Sequence, residues 1–261
     1  MPSTLAPPHP WQRLRQFTSA RIALGRAGHS QPTDAVLAFG LAHAQARDAV
    51  HQPLSCEAVK AALDEAGFAS LRVHSAAADR AQYLRRPDLG RRLDDDSRER
   101  LRQAAGEPCD VAFVIADGLS AQAAQRHAVA VLRAVRERLP DWRIGPVAIA
   151  EQSRVALGDE IGELLRARQV VMLIGERPGL SSPDSLGIYL TYDPHPGRTD
   201  AQRNCISNVR PEGLSYRQAA DRLAWLLRGA VALGCSGVRL KEDSGELGAD
   251  EAAALRSPAP D

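Results

Sequence analysis

An apolar run, Val170-Val-Met-Leu-Ile174, ends in Gly175-Glu-Arg-Pro-Gly179. The run reads as a buried strand. The turn puts the Glu176 carboxylate and the Arg177 guanidinium where the chain leaves the sheet. In open α/β sheets ligands bind outside the carboxyl ends of strands, so this pair is a candidate ligand contact. The residues alone leave a second reading open, in which Glu176 pairs with Arg177 or accepts backbone hydrogen bonds within its turn. Cys205 stands among polar groups in Arg203-Asn-Cys-Ile-Ser-Asn-Val-Arg210. A lone cysteine is most often a small buried hydrophobe, and no base beside it in sequence would activate it as a nucleophile. Val155 follows Ala150-Glu-Gln-Ser-Arg154 at the expected start of a helix. Free N–H groups there collect ligand oxygens, although a valine at that place is more often ordinary core. Ser120, in Asp117-Gly-Leu-Ser120, lacks the Gly-x-Ser-x-Gly elbow of a nucleophile and reads as a helix cap. Asp117 is a candidate contact at its own strand end.

The elements that must position these residues follow from periodicity. Trp11 to Gly28 is a basic segment with helical spacing. Thr33 is placed to cap a helix through about Ala49, with Val36, Leu37, Leu41 and Ala44 on one face. Ser55 caps a second helix, with Val59, Ala62, Leu63 and Ala66 inward and Gly67 as its stop. Leu71–His74 reads as a short strand. Arg80–Arg102 carries dense charge of both signs, with Tyr83, Leu84, Leu89 and Leu93 interleaved; it reads as a solvated helix pair or as a subunit interface. Strands are then expected over Val111–Ile115, Gly145–Ala150, Val170–Gly175 and Ile188–Tyr192. Helices are expected from Ser120 through Leu139, over Val155–Arg166 and over Tyr216–Leu233, with Gly234 as the last stop. Alternating strands and helices predict an α/β fold: a helical N-terminal part, then a Rossmann-like, mostly parallel sheet flanked by helices. The expected division is residues 1–105, mainly helical with a mobile Pro-rich start; residues 106–243, Rossmann-like; and a small, acidic, disordered tail over 244–261.

Composition excludes several functions. The net charge of +1 over 261 residues gives no bulk attraction to nucleic acid or to an anionic membrane. No apolar run approaches the roughly 20 residues that span a bilayer, and no signal peptide opens the chain. The four cysteines, Cys56, Cys109, Cys205 and Cys235, are far apart and form no Cys-x-x-Cys, which argues against a zinc ribbon or a dithiol centre. The two lysines, Lys60 and Lys241, belong to no phosphate loop. No Gly-x-Gly-x-x-Gly follows a strand, so a dinucleotide site fits poorly.

The blocks around Glu176 and Cys205 resemble the small (light) subunit of ethanolamine ammonia-lyase, an adenosylcobalamin-dependent bacterial enzyme. Further stretches carry the same likeness in the same order: Arg15-Gln-Phe-Thr-Ser-Ala-Arg-Ile-Ala-Leu-Gly-Arg-Ala-Gly28, Leu41-Ala-His-Ala-Gln-Ala-Arg-Asp-Ala-Val50, Asp79-Arg-Ala-Gln-Tyr-Leu-Arg-Arg-Pro-Asp-Leu-Gly90 and Asp117-Gly-Leu-Ser120. The resemblance runs from about Trp11 to about Arg239. It implies that Val155, Glu176 and Cys205 contact adenosylcobalamin (coenzyme B12). The corrin ring carries a fringe of amides whose N–H groups want acceptors, which suits Glu176. Val155, in the family's Arg-Val-Ala-Leu-Gly-Asp motif, would contribute main-chain atoms, and Cys205 a packing or weak hydrogen-bond contact.

The same resemblance implies conversion of ethanolamine to acetaldehyde and ammonia. The cofactor's Co–C bond breaks homolytically, the adenosyl radical takes a substrate hydrogen, and the amine leaves after rearrangement. The substrate and radical-handling residues would lie on a barrel-shaped large subunit, so no catalytic acid, base, nucleophile or metal ligand is assigned to this chain. Six copies of each subunit are implied. Asp193-Pro-His-Pro-Gly197 comes near the Asp-x-His-x-x-Gly by which some cobalamin enzymes ligate cobalt, but its glycine falls one place early. The ethanolamine family keeps the cofactor's own base on the metal, so His195 is not expected to bind cobalt. Location in a bacterial microcompartment or free in the cytoplasm both fit. Only about ten residues, Pro-rich and not amphipathic, precede Trp11, where some members carry a longer packaging extension. Two other readings stay open: a cobalamin-independent Rossmann-like adapter, and a stand-alone thiol enzyme built on Cys205.

Overall fold

The structure, a computed structural model, describes residues 10–241; the Pro-rich start and the acidic tail lie outside this range. A 3-10 helix, Pro10–Phe17, replaces the first half of the helical segment expected up to Gly28, and an irregular, non-helical stretch with left-handed turns at Ala23 and Gly25 replaces most of the rest. Helix α1 (Thr33–His51) begins one residue earlier than expected, with Pro32 at its cap position. Its buried side is small, Ala42 and Ala49, while Val36, Leu37 and Leu41 stand exposed. The apolar stripe is real but does not face this chain's core. Helix α2 (Cys56–Glu65) is capped as its sequence predicts, Ser55 Oγ accepting from Ala58 N at 3.3 Å, and buries Val59 and Leu63.

Strand β1 (Ser70–His74) is followed by α3 (Arg80–Arg85) and α4 (Asp95–Ala104). This charged stretch is anchored inward: Tyr83, Leu93 and Leu101 are fully buried. The Arg80 and Arg154 guanidiniums lie 4.6 and 4.2 Å from the Tyr83 ring centre, an arrangement in which the ring's negative face offsets the cost of placing charge near the interior. The remaining elements are β2 (Ala112–Ala116), α5 (Ala121–Arg136), β3 (Val147–Glu151), α6 (Leu157–Leu164), β4 (Gln169–Gly175), β5 (Leu186–Tyr192), β6 (Arg203–Val209) and α7 (Tyr216–Leu233). Helix α7 has the bounds that its sequence predicts. Ser215 and Gln218 form a reciprocal capping box, and Gly234 ends the helix in the left-handed conformation at φ 64°.

One six-stranded sheet runs in the order β1-β3-β2-β4-β5-β6. Strands β1 to β4 are parallel, while β5 and β6 add as antiparallel strands on one side. The fourth expected strand is therefore present but runs antiparallel, as its short link to β4 allows. Strand β6, read in the sequence only as a polar block, is the sheet's edge.

Two apolar layers sandwich the sheet. Phe113, Ile115, Ile149, Leu173 and Ile188 face α2, α5 and α7. Ala112, Val114, Ala148, Val170 and Met172 face α4 and α6. This alternation along each strand is what burial on both sheet faces demands. On the second face, α6 covers β4 and the near ends of β5 and β6, then stops. Beyond it, Tyr189 is half-buried, and Cys205 and Ser207 are exposed.

Candidate functional site

A sheet of this kind normally offers a ligand crevice where neighbouring strands send their helices to opposite faces. Here that place lies between β2, which feeds α5, and β3, which feeds α6. Asp117 fills it. Its Oδ1 accepts from Gly118 N at 2.8 Å and Ser153 N at 2.9 Å, and its Oδ2 accepts from Gln152 N at 2.8 Å. Gln152 adopts a left-handed φ of 52°, a strain those hydrogen bonds offset. Arg80 Nη1 approaches Asp117 Oδ2 at 3.4 Å, and its Nε donates to Val50 O at 2.7 Å. Burial nevertheless dominates, and pushes the Asp117 carboxyl up to about 6. Asp117 is thus a lock on two loops. Gly118 is required beside it: at φ 55°, an added Cβ would sit 2.3 Å from the Gly175 carbonyl oxygen.

Ser120 behaves as a cap, its hydroxyl accepting from Ala123 N at 3.4 Å. The same hydroxyl donates to the Pro183 carbonyl at 2.8 Å, tethering the β4–β5 loop to the start of α5. This reach across 63 residues has no signal in the sequence.

The open surface lies beside that crevice, on the half of the α6 face that α6 leaves bare. Cys205 on β6 pairs in register with Tyr189 on β5, and Tyr189 pairs with Met172 on β4. Gly187, two residues along β5, pairs with Ile174; on one strand face that step is about 7 Å toward the end of β4. Glu176 follows there. Its Oε2 accepts from the Ser185 hydroxyl and from Asn208 N, the latter at 3.2 Å. Among the described residues nothing donates to Oε1. That oxygen lies 3.1 Å from where a Gly187 Cβ would stand, so the missing side chain leaves it space.

Glu176 and Cys205 therefore share one face of the sheet, half-buried and exposed respectively. Cys205 is not the buried hydrophobe that a lone cysteine most often is. Its Sγ lies 3.4 Å from Ser207 Oγ, and the Tyr189 phenol is its ring neighbour. Burial, then Cys205 and Glu176, push that phenol's pKa well above the ordinary tyrosine value. Val155 packs partly against the same apolar layer as Tyr189. It does not open α6: the helix starts at Leu157, and the Val155 carbonyl accepts from Gly158 N at 3.1 Å in the preceding turn. Arg177 is exposed and forms no ion pair with Glu176 among the described residues.

His195 stands apart. It follows Tyr192, which pairs with Gln169 at the start of β4, the opposite end of the sheet from Glu176. Its Nδ1 lies 3.0 Å from the Pro196 carbonyl. Arg203 is structural. Buried at the start of β6, it forms a two-pronged pair with Asp159 on α6, at 2.6 and 2.7 Å, and donates to Thr191 Oγ1 at 2.8 Å. The pair pins β6 under α6 and so sets where the covered part of the face ends.

The arrangement offers an aromatic ring, a thiol, an unshared carboxylate oxygen and a patch of half-buried apolar surface on one open strip. Among the described residues, no histidine or carboxylate lies within hydrogen-bond reach of Cys205 to turn it into a thiolate nucleophile. A strip of this composition can hold part of a large ligand.

The family model described as ethanolamine ammonia-lyase light chain (EutC) matches residues 8–241. This chain belongs to that family. Among curated relatives, the ethanolamine ammonia-lyase small subunit of Azotobacter vinelandii is 58% identical over 241 residues, covering 90% of this chain and 89% of that protein. The small subunit of Ralstonia nicotianae is 59% identical over 239 residues, covering 90% and 88%. That of Xanthomonas campestris is 55% identical over 256 residues, covering 95% and 94%. The family membership expected from the motifs around Glu176 and Cys205 is thereby shown.

Proposed function

We propose that this chain is the small subunit of an adenosylcobalamin-dependent ethanolamine ammonia-lyase, a carbon–nitrogen lyase that converts ethanolamine to acetaldehyde and ammonia. It forms one wall of the cofactor's site, against a large subunit that holds the substrate. The observation that carries this reading is the strip itself. Glu176, Gly187, Tyr189 and Cys205 lie on one uncovered face, with an unshared carboxylate oxygen beside the space a Cβ would fill. A corrinoid presents amide N–H groups around a flat ring, and such donors suit a carboxylate held at a rim. The strip also fits a ligand shared between two chains, because it is open on the side away from α6.

When bound, adenosylcobalamin supplies the radical chemistry, and the protein supplies position and electrostatics. Glu176 accepts a corrinoid amide through Oε1. Val155 lines the near edge with its turn, and Cys205 and Tyr189 give a flat floor that keeps bulk water from one side of the ligand. None of these residues moves a substrate proton. The partner is the large subunit, in an assembly of six copies of each, in a bacterial microcompartment or free in the cytoplasm.

Exposed apolar side chains support a chain built to be covered: Trp11, Phe17, Val36, Leu37 and Leu41 all stand out from the N-terminal segment and α1. No described helix is long and apolar enough to cross a membrane.

The test is reconstitution. The chain is purified with and without its large subunit, soaked with cyanocobalamin, and passed through gel filtration. Corrinoid absorbance that co-elutes with the complex, and far more weakly with either chain alone, supports the proposal. A complex that forms and retains no corrinoid would instead mark an adapter protein.

A further inference from the structure

We infer that Ser185 is the positioning residue of the cofactor strip: it turns the Glu176 carboxylate so that one oxygen is committed to the protein and the other is presented to the ligand. This rests on the reading of Glu176 as a corrinoid contact. Ser185 and Glu176 form a reciprocal pair across the mouth of the β4–β5 link. Glu176 N donates to the Ser185 carbonyl at 2.9 Å, and the Ser185 hydroxyl donates back to Glu176 Oε2. A glutamate at a strand end has three side-chain torsions free to wander, and a donor that fixes one oxygen fixes the direction of the other. Asn208 N adds a second donor to the same Oε2 at 3.2 Å. Both known donors thus fall on one oxygen, and Oε1 is left toward the space above Gly187.

Ser185 is itself held firmly. It is 6% exposed. Its predecessor Asp184 is bound by Arg126 at 2.9 Å, and the Pro183 carbonyl by Ser120 at 2.8 Å, both from the first turns of α5. The hydroxyl therefore arrives on a tethered segment, not on a free loop. Gly187 closes the geometry from the other side. An added Cβ would meet Glu176 Cγ at 3.0 Å, Oε1 at 3.1 Å and Tyr189 Cε2 at 3.2 Å, so a side chain there would press the carboxylate and the ring to give by a few tenths of an ångström. A serine that merely satisfied a buried acid would need neither the empty place at Gly187 nor the split between the two oxygens.

The experiment measures the Kd for cyanocobalamin of the reconstituted large–small complex, with the unfolding temperature of each variant alongside. Ser185→Ala is expected to raise Kd about tenfold, the scale of one charge-assisted hydrogen bond, and Ser185→Thr, which keeps the hydroxyl, to restore most of it. In a Glu176→Ala background Ser185→Ala should have no further effect, because it acts through that carboxylate; a merely structural role would add to the loss. Gly187→Ala, which leaves the serine intact, should also raise Kd, and it carries the test if Ser185→Ala fails to assemble. Unchanged Kd in both Ser185→Ala and Gly187→Ala, or an additive loss in the double variant, would overturn the inference. If Glu176→Ala itself leaves Kd unchanged, the reading of Glu176 falls as well; if only the Ser185 and Gly187 variants are silent, the positioning role alone falls.

Discussion

Asn208 donates its backbone N–H to Oε2 of Glu176 at 3.2 Å, and so ties the end of edge strand β6 to the end of β4 across the strand between them. Asn208 holds a left-handed φ of 60° to do so. Its side-chain Oδ1 accepts from Arg210 Nε at 3.0 Å, which steadies that turn. The two polar blocks that stand out in the sequence are thus one structure: the carboxylate from the first fixes the backbone of the second, and Cys205 is carried onto the same face.

The buried pair of Asp159 and Arg203 sets where that face opens. Replacing Asp159 by Ala leaves the buried Arg203 with only the exposed Asp200 carboxylate, 3.5 Å from its Nε; breaking a buried pair in this way typically costs about 3–5 kcal/mol. Replacing both, Asp159→Leu with Arg203→Met, should recover most of the loss. Chemical denaturation of these two variants beside the natural protein measures this. A loss below about 1 kcal/mol for Asp159→Ala would show that the pair does not hold β6.

The Asp117 lock predicts a pH dependence of defined sign. Burial raises its folded pKa to about 6, above the ordinary aspartate value near 3.9. The folded state therefore binds this proton more readily than the unfolded chain does. The stability it contributes is complete below about pH 4 and is lost as pH rises through about 6. Relative to Asp117→Asn, which does not titrate, the natural protein should lose about 2–3 kcal/mol between those limits. Urea unfolding of both proteins at about pH 4 and about pH 8 measures it. A difference that stays constant, or that grows in the natural protein's favour with pH, would contradict it.

The cysteines should separate by reactivity. Burial pushes the Cys56 thiol up to about 12 and raises that of Cys109, whereas Cys205 is exposed. Iodoacetamide should alkylate Cys205 well before Cys56 or Cys109, since the thiolate is the reacting form. Within the large–small complex, added cyanocobalamin should slow the alkylation of Cys205. Mass spectrometry of the peptide carrying Cys205 reads this out, and equal labelling with and without corrinoid would remove Cys205 from the site.

Much of this fold was legible because it repeats simple signals. Helix α7 announces itself by a capping serine, a 3–4 apolar rhythm and a terminal glycine, and each does in the structure what it does in isolation. Strands β2 and β4 are continuous apolar runs because both their faces are covered. Other elements were not legible, for physical reasons. Strand β6 alternates Ile206 inward with Cys205 and Ser207 outward, and begins with a buried arginine whose neutralising partner lies 44 residues away. A single-sided edge strand with a buried charge looks like a loop. The stripe on α1 gave a helix but not its surroundings, since periodicity says nothing about which body an apolar face meets. At the site, Glu176 and Cys205 were visible as unusual residues. Ser185, Gly187 and Tyr189 were not, because a serine, a glycine and a strand tyrosine are common, and only the register across β4, β5 and β6 brings them together.

The account turns on the free oxygen of Glu176, and Glu176→Gln tests it with least disturbance. The glutamine carbonyl can still accept from Ser185 and Asn208, while its amide nitrogen takes the Oε1 place and cannot accept from a ligand amide. The measurement is cyanocobalamin affinity of the reconstituted complex, followed by corrinoid absorbance, with thermal unfolding as the control. The account predicts at least about a tenfold weaker affinity at an essentially unchanged unfolding temperature. Affinity equal to that of the natural protein in a well-folded Glu176→Gln complex would contradict it.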